Sequence, residues 1–487
     1  MLLIVSVILF CLSVSAVAFA WIQQAREEAR LLKQVVRSVD TTKSPLILTA
    51  PSPTVTSAHT AANVALRLTP EQAAVFSVLE YTNDHVFVTG KAGTGKSMLL
   101  QYFQAHTRKR IVVVAPTGAA ALQVGGQTIH SLFHLPMGFI QEQGLSIDMR
   151  TAKLLRHIDA LVIDETSMVR VDTMEAIHRK LQMARKSDIP FGGVQIILFG
   201  DPYQLPPVCE DDLERYMTNR FGGPYFFNAP VWKEAMLRMY ELRTVHRQRD
   251  GQFRQVLNAI RQGMVNDEVL ETINKRAGLP VPKGEIVTLT GHTAVVMNLN
   301  KKRLAAVPGR EHVYMAEVNG KLTQTTFPAD AALQLKVGAQ VMLLKNDRQR
   351  RWANGTVGMV RALGKDEVRI AIHGHIHTVY RETWNKIRYT YDTEKDVIAQ
   401  DIVSAFTQFP VRLAWAMTIH KAQGQTYESV SIDLTHGVFA YGQTYVALSR
   451  CTSLEGVYLT RPIRREDIMV DPRITEFMQR STNMVVT

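Results

Sequence analysis

The chain has 487 residues, 46% of them hydrophobic and 21% charged, a globular composition with room for roughly two to four domains, which excludes a single small binding module. Lys and Arg number 56 against 44 Asp and Glu, a formal charge of +12 that favours a polyanionic partner, either nucleic acid or an anionic membrane surface. Cys11, Cys209 and Cys451 lie far apart and form no Cys-x-x-Cys pair, which excludes a disulfide-stapled scaffold and a cysteine zinc site and makes a reducing compartment the default.

Leu2 to Ile22 form a nearly unbroken apolar run without side-chain charge, long enough to cross a bilayer, so residues 1–22 are a candidate transmembrane anchor. The basic residues Arg26, Arg30, Lys33 and Arg37 all follow it, and the positive-inside rule then keeps the body of the protein on the cytoplasmic side. A cleaved signal peptide, a mitochondrial presequence and a start codon placed too early are rival readings. The missing basic n-region and the first Arg at position 26 count against secretion and import. Residues 23–67 read as a juxtamembrane segment and a Ser/Thr/Pro/Ala-rich flexible linker, and the folded body begins near Leu68.

The run HVFVT at 85–89 leads straight into GKAGTGKS at 90–97 and then the helix-prone MLLQYFQAH, which is the order strand, glycine-rich loop, helix. Glycines let backbone N–H groups close around phosphates, and the helix N-terminus adds its positive end. Lys96 reaches the phosphates and Ser97 ligates Mg²⁺. Gly90, Ala92, Gly93, Thr94, Gly95, Lys96 and Ser97 are therefore the candidate ATP-binding loop. A second apolar run at 159–164 ends in Asp164 and Glu165; Asp164 would hold Mg²⁺ and Glu165 would polarise the attacking water. A third, GVQIILFGD, ends in Asp201 and continues to Gln204, a candidate sensor of the γ-phosphate. With IVVVAP at 111–116 these strands alternate with helical stretches, the pattern of a P-loop α/β domain.

By Gln204 the residues resemble one family, the petite-integration-frequency (PIF) and RecD-like branch of superfamily 1 DNA helicases, which move 5′ to 3′. LTPEQ at 68–72 is similar to the adenine-reading Q motif, which implies that Gln72 bonds the base. APTGAAALQVGGQTIHSLF at 115–133 is similar to motif Ia and the segment after it, which implies single-stranded DNA contacts by Pro116, Thr117, Gly118, His130 and Ser131. DETSMV at 164–169 matches Walker B, and PFGGVQIILFGDPYQLPPV at 190–208 resembles the family signature running into motif III. VHRQRDGQF at 245–253 resembles motif IV, with Arg247 as a phosphate-contacting Arg, and AMTIHKAQGQTYESVSID at 416–433 resembles motif V. YVALSRCTSLEGVYL at 445–459 resembles motif VI, with Arg450 as the arginine finger. The sequence departs from the family at Pro202 in motif III and at His246 beside Arg247, both usually aromatic.

The resemblance covers Leu68 to about Leu459. It implies two tandem RecA-like domains: the first over 68–230, with a short insertion at about 136–151, and the second over 231–465. The second carries a β-rich, SH3-like insertion at about 310–405, including LKVGAQVMLLKND and WANGTVGMV, and a C-terminal tail follows over 466–487. The implied activity is ATP- and Mg²⁺-dependent 5′-to-3′ unwinding of tailed duplex DNA and translocation on single strands, in repair, recombination or genome maintenance. The rivals are a DNA-stimulated ATPase that remodels protein–DNA complexes without unwinding, and a catalytically weak, membrane-tethered DNA-binding scaffold.

Thr418 to Gln425 offers hydroxyl, imidazole and amide donors suited to linking a DNA phosphate to the nucleotide through Gly424 and Gln425. Thr418 and His420 are DNA candidates, with a structural role for His420 equally open. Phe133, Trp384 and Trp415 read as core rings more readily than as base-stacking ones. His373, His375 and His377 would share one face of a strand, a pattern that reads as a solvated or DNA-facing strand more readily than as a metal site.

Overall fold

The computed structural model describes residues 68–482 except 137, 142, 249, 283–285, 321–326, 348, 350 and 396. Residues 1–67 lie outside the described residues, and with them the proposed anchor and linker. Among the described residues no helix is long and apolar enough to cross a membrane.

The first motor domain is built on a parallel sheet of β1 (Val86–Gly90), β2 (Ile111–Ala115), β3 (Gln127–Thr128), β4 (Ala160–Ile163), β5 (Gln195–Phe199) and β6 (Arg238–Leu242), in the order β3-β2-β4-β5-β1-β6. β1, β4 and β5 are buried at every residue, because helices cover both faces; this is why the strands read as continuous apolar runs rather than alternating ones. Val86, Val88, Ile197 and Phe199 pack on one face with Leu99, Leu100 and Phe103 of the helix Lys96–His106. Phe87, Ile196 and Leu198 pack on the other with Met174 and Ile177 of the helix Val171–Arg185. All six strands run the same way, so the loops after β1, β2, β3, β4 and β5 emerge at one edge, where a ligand site is expected.

The second motor domain carries a smaller parallel sheet of β7 (Val287–Thr290), β18 (Ala416–Thr418), β19 (Val430–Asp433) and β20 (Val457–Leu459), ordered β18-β7-β19-β20. Between β7 and β18 lies the β-rich insertion, which opens with β8 (His312–Met315), β9 (Glu317–Gly320) and β10 (Ala332–Leu335). A five-stranded antiparallel sheet, β14-β13-β12-β11-β17, joins β11 (Gln340–Leu343), β12 (Val357–Leu363), β13 (Glu367–Ile372), β14 (His375–Tyr380) and β17 (Val411–Leu413). It has its own core of Leu333, Leu335, Val341, Val360, Ile370 and Phe409. A long hairpin of β15 (Glu382–Asp392) and β16 (Val397–Gln408) reaches back to the first domain. There His157 stacks on Tyr391 at 3.6 Å, Lys153 donates to the Thr393 hydroxyl at 2.8 Å, and Arg150 pairs with Asp401 at 2.9 Å.

Several expectations need correction. The first sheet does not stop at residue 230: β6 pairs with β1 from Val86↔Arg238 to Gly90↔Leu242, placing Arg238–Leu242 in the first domain. The β-rich insertion runs past 405, because its sheet closes only when β17 pairs with β11. The C-terminal segment is not a plain tail. It forms a helix, Pro472–Thr482, whose Ile474 and Met478 are buried and whose Phe477 stacks on Phe227 at 4.1 Å in the first domain. His373 and Gly374 both have positive φ and form the two-residue turn between β13 and β14, so only His375 and His377 lie on a strand, and the three imidazoles do not share a face. No group of three or more metal-ligating side chains is found among the described residues. Phe133 is fully buried, Trp384 packs on Phe406, and Trp415 packs against the insertion core, all in agreement with the core reading.

Candidate functional site: a P-loop cleft between two motor domains

The loop after β1 has little room for side chains. Gly93 and Gly95 both have positive φ, and a Cβ would meet Arg247 Cβ at 2.5 Å in the first case and Gln72 Nε2 at 2.5 Å in the second. Gly95 is the N-cap of the helix Lys96–His106, so the loop delivers backbone N–H groups and the helix's positive end to one point. Lys96 Nζ donates to the carbonyls of Gly90 at 2.6 Å and Lys91 at 3.1 Å, and Ser97 is exposed beside it.

Asp164 and Glu165 follow β4. Glu165 sits in the left-handed region at φ 50, which costs a non-glycine residue about 1 kcal/mol or more, and the turn is braced by its neighbour: the single Thr166 hydroxyl proton is within reach of the Ile163 and Phe199 carbonyls, at 3.1 and 3.0 Å. Burial pushes both carboxyls above their ordinary range, and for Asp164 the charge of Glu165 adds to it. On the cationic side, burial lowers Lys96, and burial followed by repulsion from Arg450 lowers Arg247 to about 9. Cations needing an anion thus face carboxylates needing a cation, and a divalent ion bound with a polyphosphate satisfies both. Ser97 and Asp164 are the residues of this chain that fit the metal, which characteristically takes few protein ligands and shares the rest with phosphate oxygens and water.

Arg247 and Arg450 enter from the far side. The backbone N–H of His246 donates to Gly93 O at 2.8 Å, laying Arg247 along the P-loop, and Arg247 Nη1 donates to Ser449 O at 3.2 Å. Arg450 is buried; its Nε donates to Val446 O at 3.0 Å and its Nη2 to Ser449 Oγ at 2.8 Å, with Glu165 the strongest opposing charge. Gln204 is buried and accepts from Gln423 Nε2 at 3.1 Å, while the same amide donates to Glu165 Oε2 at 2.8 Å. The structure therefore brings Lys96, Ser97, Asp164, Glu165, Gln204, Arg247 and Arg450 to one cleft.

Other candidates stand elsewhere. The Gln72 amide is held against the P-loop: Oε1 accepts from Thr69 N–H at 3.0 Å in a capping box, and Nε2 reaches Thr94 O at 3.5 Å. Gly424 lies against Gln123 of the first domain, the Gln425 side chain lies against Gly355 while its carbonyl accepts from Arg450 Nη1 at 3.4 Å, and Gln423, just before them, bonds Glu165 directly. Pro116, Thr117 and Gly118 follow β2, and His130 and Ser131 follow β3, which pairs with β2 at Ala115↔Thr128. These five gather at one edge. The Thr117 hydroxyl is engaged as an N-cap of Ala120 N–H, and that of Ser131 accepts from Gln127 Nε2. Thr418 is buried at the matching edge of the second sheet, opposite Thr290, and His420 stacks on Phe439.

Sequence reasoning missed Gln423, Tyr445, Asp201 and Arg261 at the cleft, and His292 and the exposed Phe439 beside His420. Gln423 lay inside the motif V segment and Asp201 at the end of an apolar strand, which were signals. Arg261 carried none, being one polar residue on the amphipathic helix Gly251–Gln262.

Comparison with known proteins agrees with this architecture. Residues 67–271 match the PIF1-like helicase family, and residues 320–363 match the DNA helicase Pif1 2B domain. The ATP-dependent DNA helicase Pif1 of Bdellovibrio bacteriovorus is 32% identical over 85% of this chain and 92% of its own length. The human ATP-dependent DNA helicase PIF1 is 35% identical, and the chain spans 63% of its length. Pif1 from Bacteroides sp, crystallised with ADP-AlF4, superposes with a TM-score of 0.80 at 35% identity, covering 86% of this chain and 97% of that one. The same protein bound to single-stranded DNA gives 0.64 over the same shares. Two tandem RecA-like domains, a β-rich insertion in the second, and a relative matched along nearly its whole length place this chain in the PIF1-like helicase family.

Proposed function

We propose that the chain is an ATP-dependent DNA helicase that translocates 5′ to 3′ on single-stranded DNA and opens tailed duplex, in repair, recombination or genome maintenance. The observation that carries the ATP-driven part is the cleft itself: P-loop and Walker carboxylates on one side, and facing them two guanidiniums, the partly exposed Arg247 from the segment after β6 and the buried Arg450 from the segment after β19. Lys96 neutralises the phosphate being transferred, Glu165 takes the proton of the attacking water, and Arg247 and Arg450 oppose the charge that develops as the bond breaks. Mg²⁺ held by Ser97 and Asp164 supplies further neutralisation when bound. Gln423 links Glu165 and Gln204 to the second sheet, so the hydrolytic site and the loop after β18 cannot move independently.

DNA is the polyanion favoured over a membrane for this chain of net charge +12, because the loop edges of both sheets collect polar groups suited to phosphate and a ring suited to a base. On the first sheet these are Pro116–Gly118, His130 and Ser131; on the second, Thr418, His420, His292 and Phe439. Burial lowers the His130 and His420 imidazoles, which keeps them neutral donors. The Bacteroides relative is bound to single-stranded DNA in one of its structures, and another similar structure addresses DNA unwinding at forked duplex by two coordinating Pif1 helicases, which supports the same partner here. The 5′-to-3′ direction and the cellular setting rest on family resemblance, as closure of two domains can ratchet either way. A membrane tether through 1–22 rests on the apolar run alone and is checked by fractionating the full chain without detergent.

The deciding experiment is strand displacement on duplexes with either a 5′ or a 3′ tail, with and without ATP. Opening of the 5′-tailed substrate alone is expected. Opening only of the 3′-tailed one refutes the polarity, and DNA-stimulated hydrolysis without opening of either establishes the remodelling ATPase instead.

A further inference from the structure

One phenol crosses the cleft at a point that the proposed chemistry does not use. Tyr445 lies on the short helix Gln443–Leu448 of the second domain and is 3% exposed. Its Oη accepts from the backbone N–H of Ala92, inside the P-loop, at 2.9 Å, and donates to Asp201 Oδ2 at 3.2 Å. The direction of the second bond is forced, because an ionised carboxylate can only accept. Asp201 is ionised: Arg261 grips it at 2.9 Å, with both side chains buried, and stacks over Tyr203 at 4.3 Å.

The same stretch touches every other moving part of the site. At its start, Gly442 lies so close to the carbonyls of Tyr203 and Gln204 that no Cβ would fit. At its end, the Ser449 carbonyl takes Arg247 and Gln248, and Arg450 faces Glu165. Any shift of the Ala92 amide is therefore passed through the phenol to the segment that carries Arg450. A packed aromatic ring would fill the space equally well without a hydroxyl; only the O–H ties this ring to Ala92 and Asp201 across the cleft.

We infer that Tyr445 is a positioning residue, whose hydroxyl sets Arg450 and Arg247 relative to the P-loop. This deepens the ATP-driven reading above and rests on it. Tyr445→Phe keeps the ring and removes both bonds. In the full chain, kcat for hydrolysis with saturating single-stranded DNA should fall by about tenfold, the effect of one hydrogen bond made in the transition state. The dissociation constant for a fluorescent ATP analogue should change by less than about threefold, since phosphate contacts remain. In an Arg450→Ala background the same substitution should add less than about twofold, because the residue it positions is already gone.

An unchanged kcat overturns the inference, as does a full tenfold loss on top of Arg450→Ala, which would show action independent of the arginine. So does loss of folding in Tyr445→Phe, seen by melting, which would make the hydroxyl a stability determinant. An inactive wild-type chain refutes the ATPase reading itself, whereas an active wild type with an equally active Tyr445→Phe refutes only this inference.

Discussion

Replacing Arg261 with Met tests whether the Asp201–Arg261 pair is the electrostatic hinge pin of the cleft. The side chains are 3% and 0% exposed, so solvent screening gives no discount. Burial pushes Asp201 up, but Arg261 and then Lys96 outweigh it and hold the carboxyl below its ordinary range. Removing one partner of a buried pair costs about 3–5 kcal/mol. The lower end, about 3 kcal/mol, is expected because Lys96 remains as a partial counter-charge, and at about 1 °C per kcal/mol for a chain of this size the melting temperature drops by about 3 °C.

The pH dependence has a definite sign. In the wild type the depressed folded pKa means that the contribution of Asp201 is present above its unfolded pKa and lost only as pH falls through the folded value in acid. In Arg261→Met, burial dominates and the folded pKa rises above the unfolded one, so stability falls as pH rises between them. The deficit relative to wild type is thus larger at alkaline than at mildly acidic pH. Asp201→Asn added to Arg261→Met should recover most of the loss and remove the pH dependence. Melting curves of the three variants across pH provide the measurement. A single variant melting within about 1 °C of wild type throughout, or a deficit that grows toward acid, refutes the argument.

Lys96→Ala should lower ATP turnover by at least about a thousandfold in a variant that still folds, because it removes the cation at the transferring phosphate; near-normal turnover in the folded variant contradicts the site. Gln423→Ala loses a charge-assisted hydrogen bond to Glu165 of 2.8 Å, and kcat should fall about 10- to 100-fold while nucleotide affinity holds within about threefold. Parallel losses in affinity would make Gln423 a binding rather than a coupling residue. Fluorescence-anisotropy titration of single-stranded DNA should weaken by about a hundredfold between 50 and 200 mM salt, for a groove neutralising about five phosphates. A flat salt response is incompatible with a backbone-tracking groove.

What the sequence showed of this molecule follows the range over which each constraint acts. The P-loop was legible because its demands are local: glycines at 93 and 95, a lysine and serine after them, an apolar strand before. The parallel strands were legible for a similar reason, burial on both faces leaving unbroken apolar runs at 86–88 and 196–199. Reading by periodicity failed where a turn interrupts it. Alternation through 373–377 would align three histidines, but His373 and Gly374 reverse the chain. It failed again at 472–482, where Ile474, Phe477 and Met478 make sense only once Phe226 and Phe227 are known to lie opposite.

The contacts that make two domains into one site are the least legible of all, and their chemistry says why. His246 meets the P-loop through its backbone N–H and the Gly93 carbonyl, a donor and an acceptor that almost any pair of residues would provide, so no side-chain pattern marks the contact. Ala92 meets Tyr445 through its backbone N–H, again a group common to every non-proline residue. Even the side-chain link between Gln423 and Glu165 joins positions far apart in the chain, whose proximity depends on the register of β18 beside β7. The motifs thus reveal which groups act on phosphate. Their mutual placement is carried by backbone atoms and by one buried phenol, and it is there, along residues 442–450, that a single hydroxyl can separate binding of nucleotide from its hydrolysis.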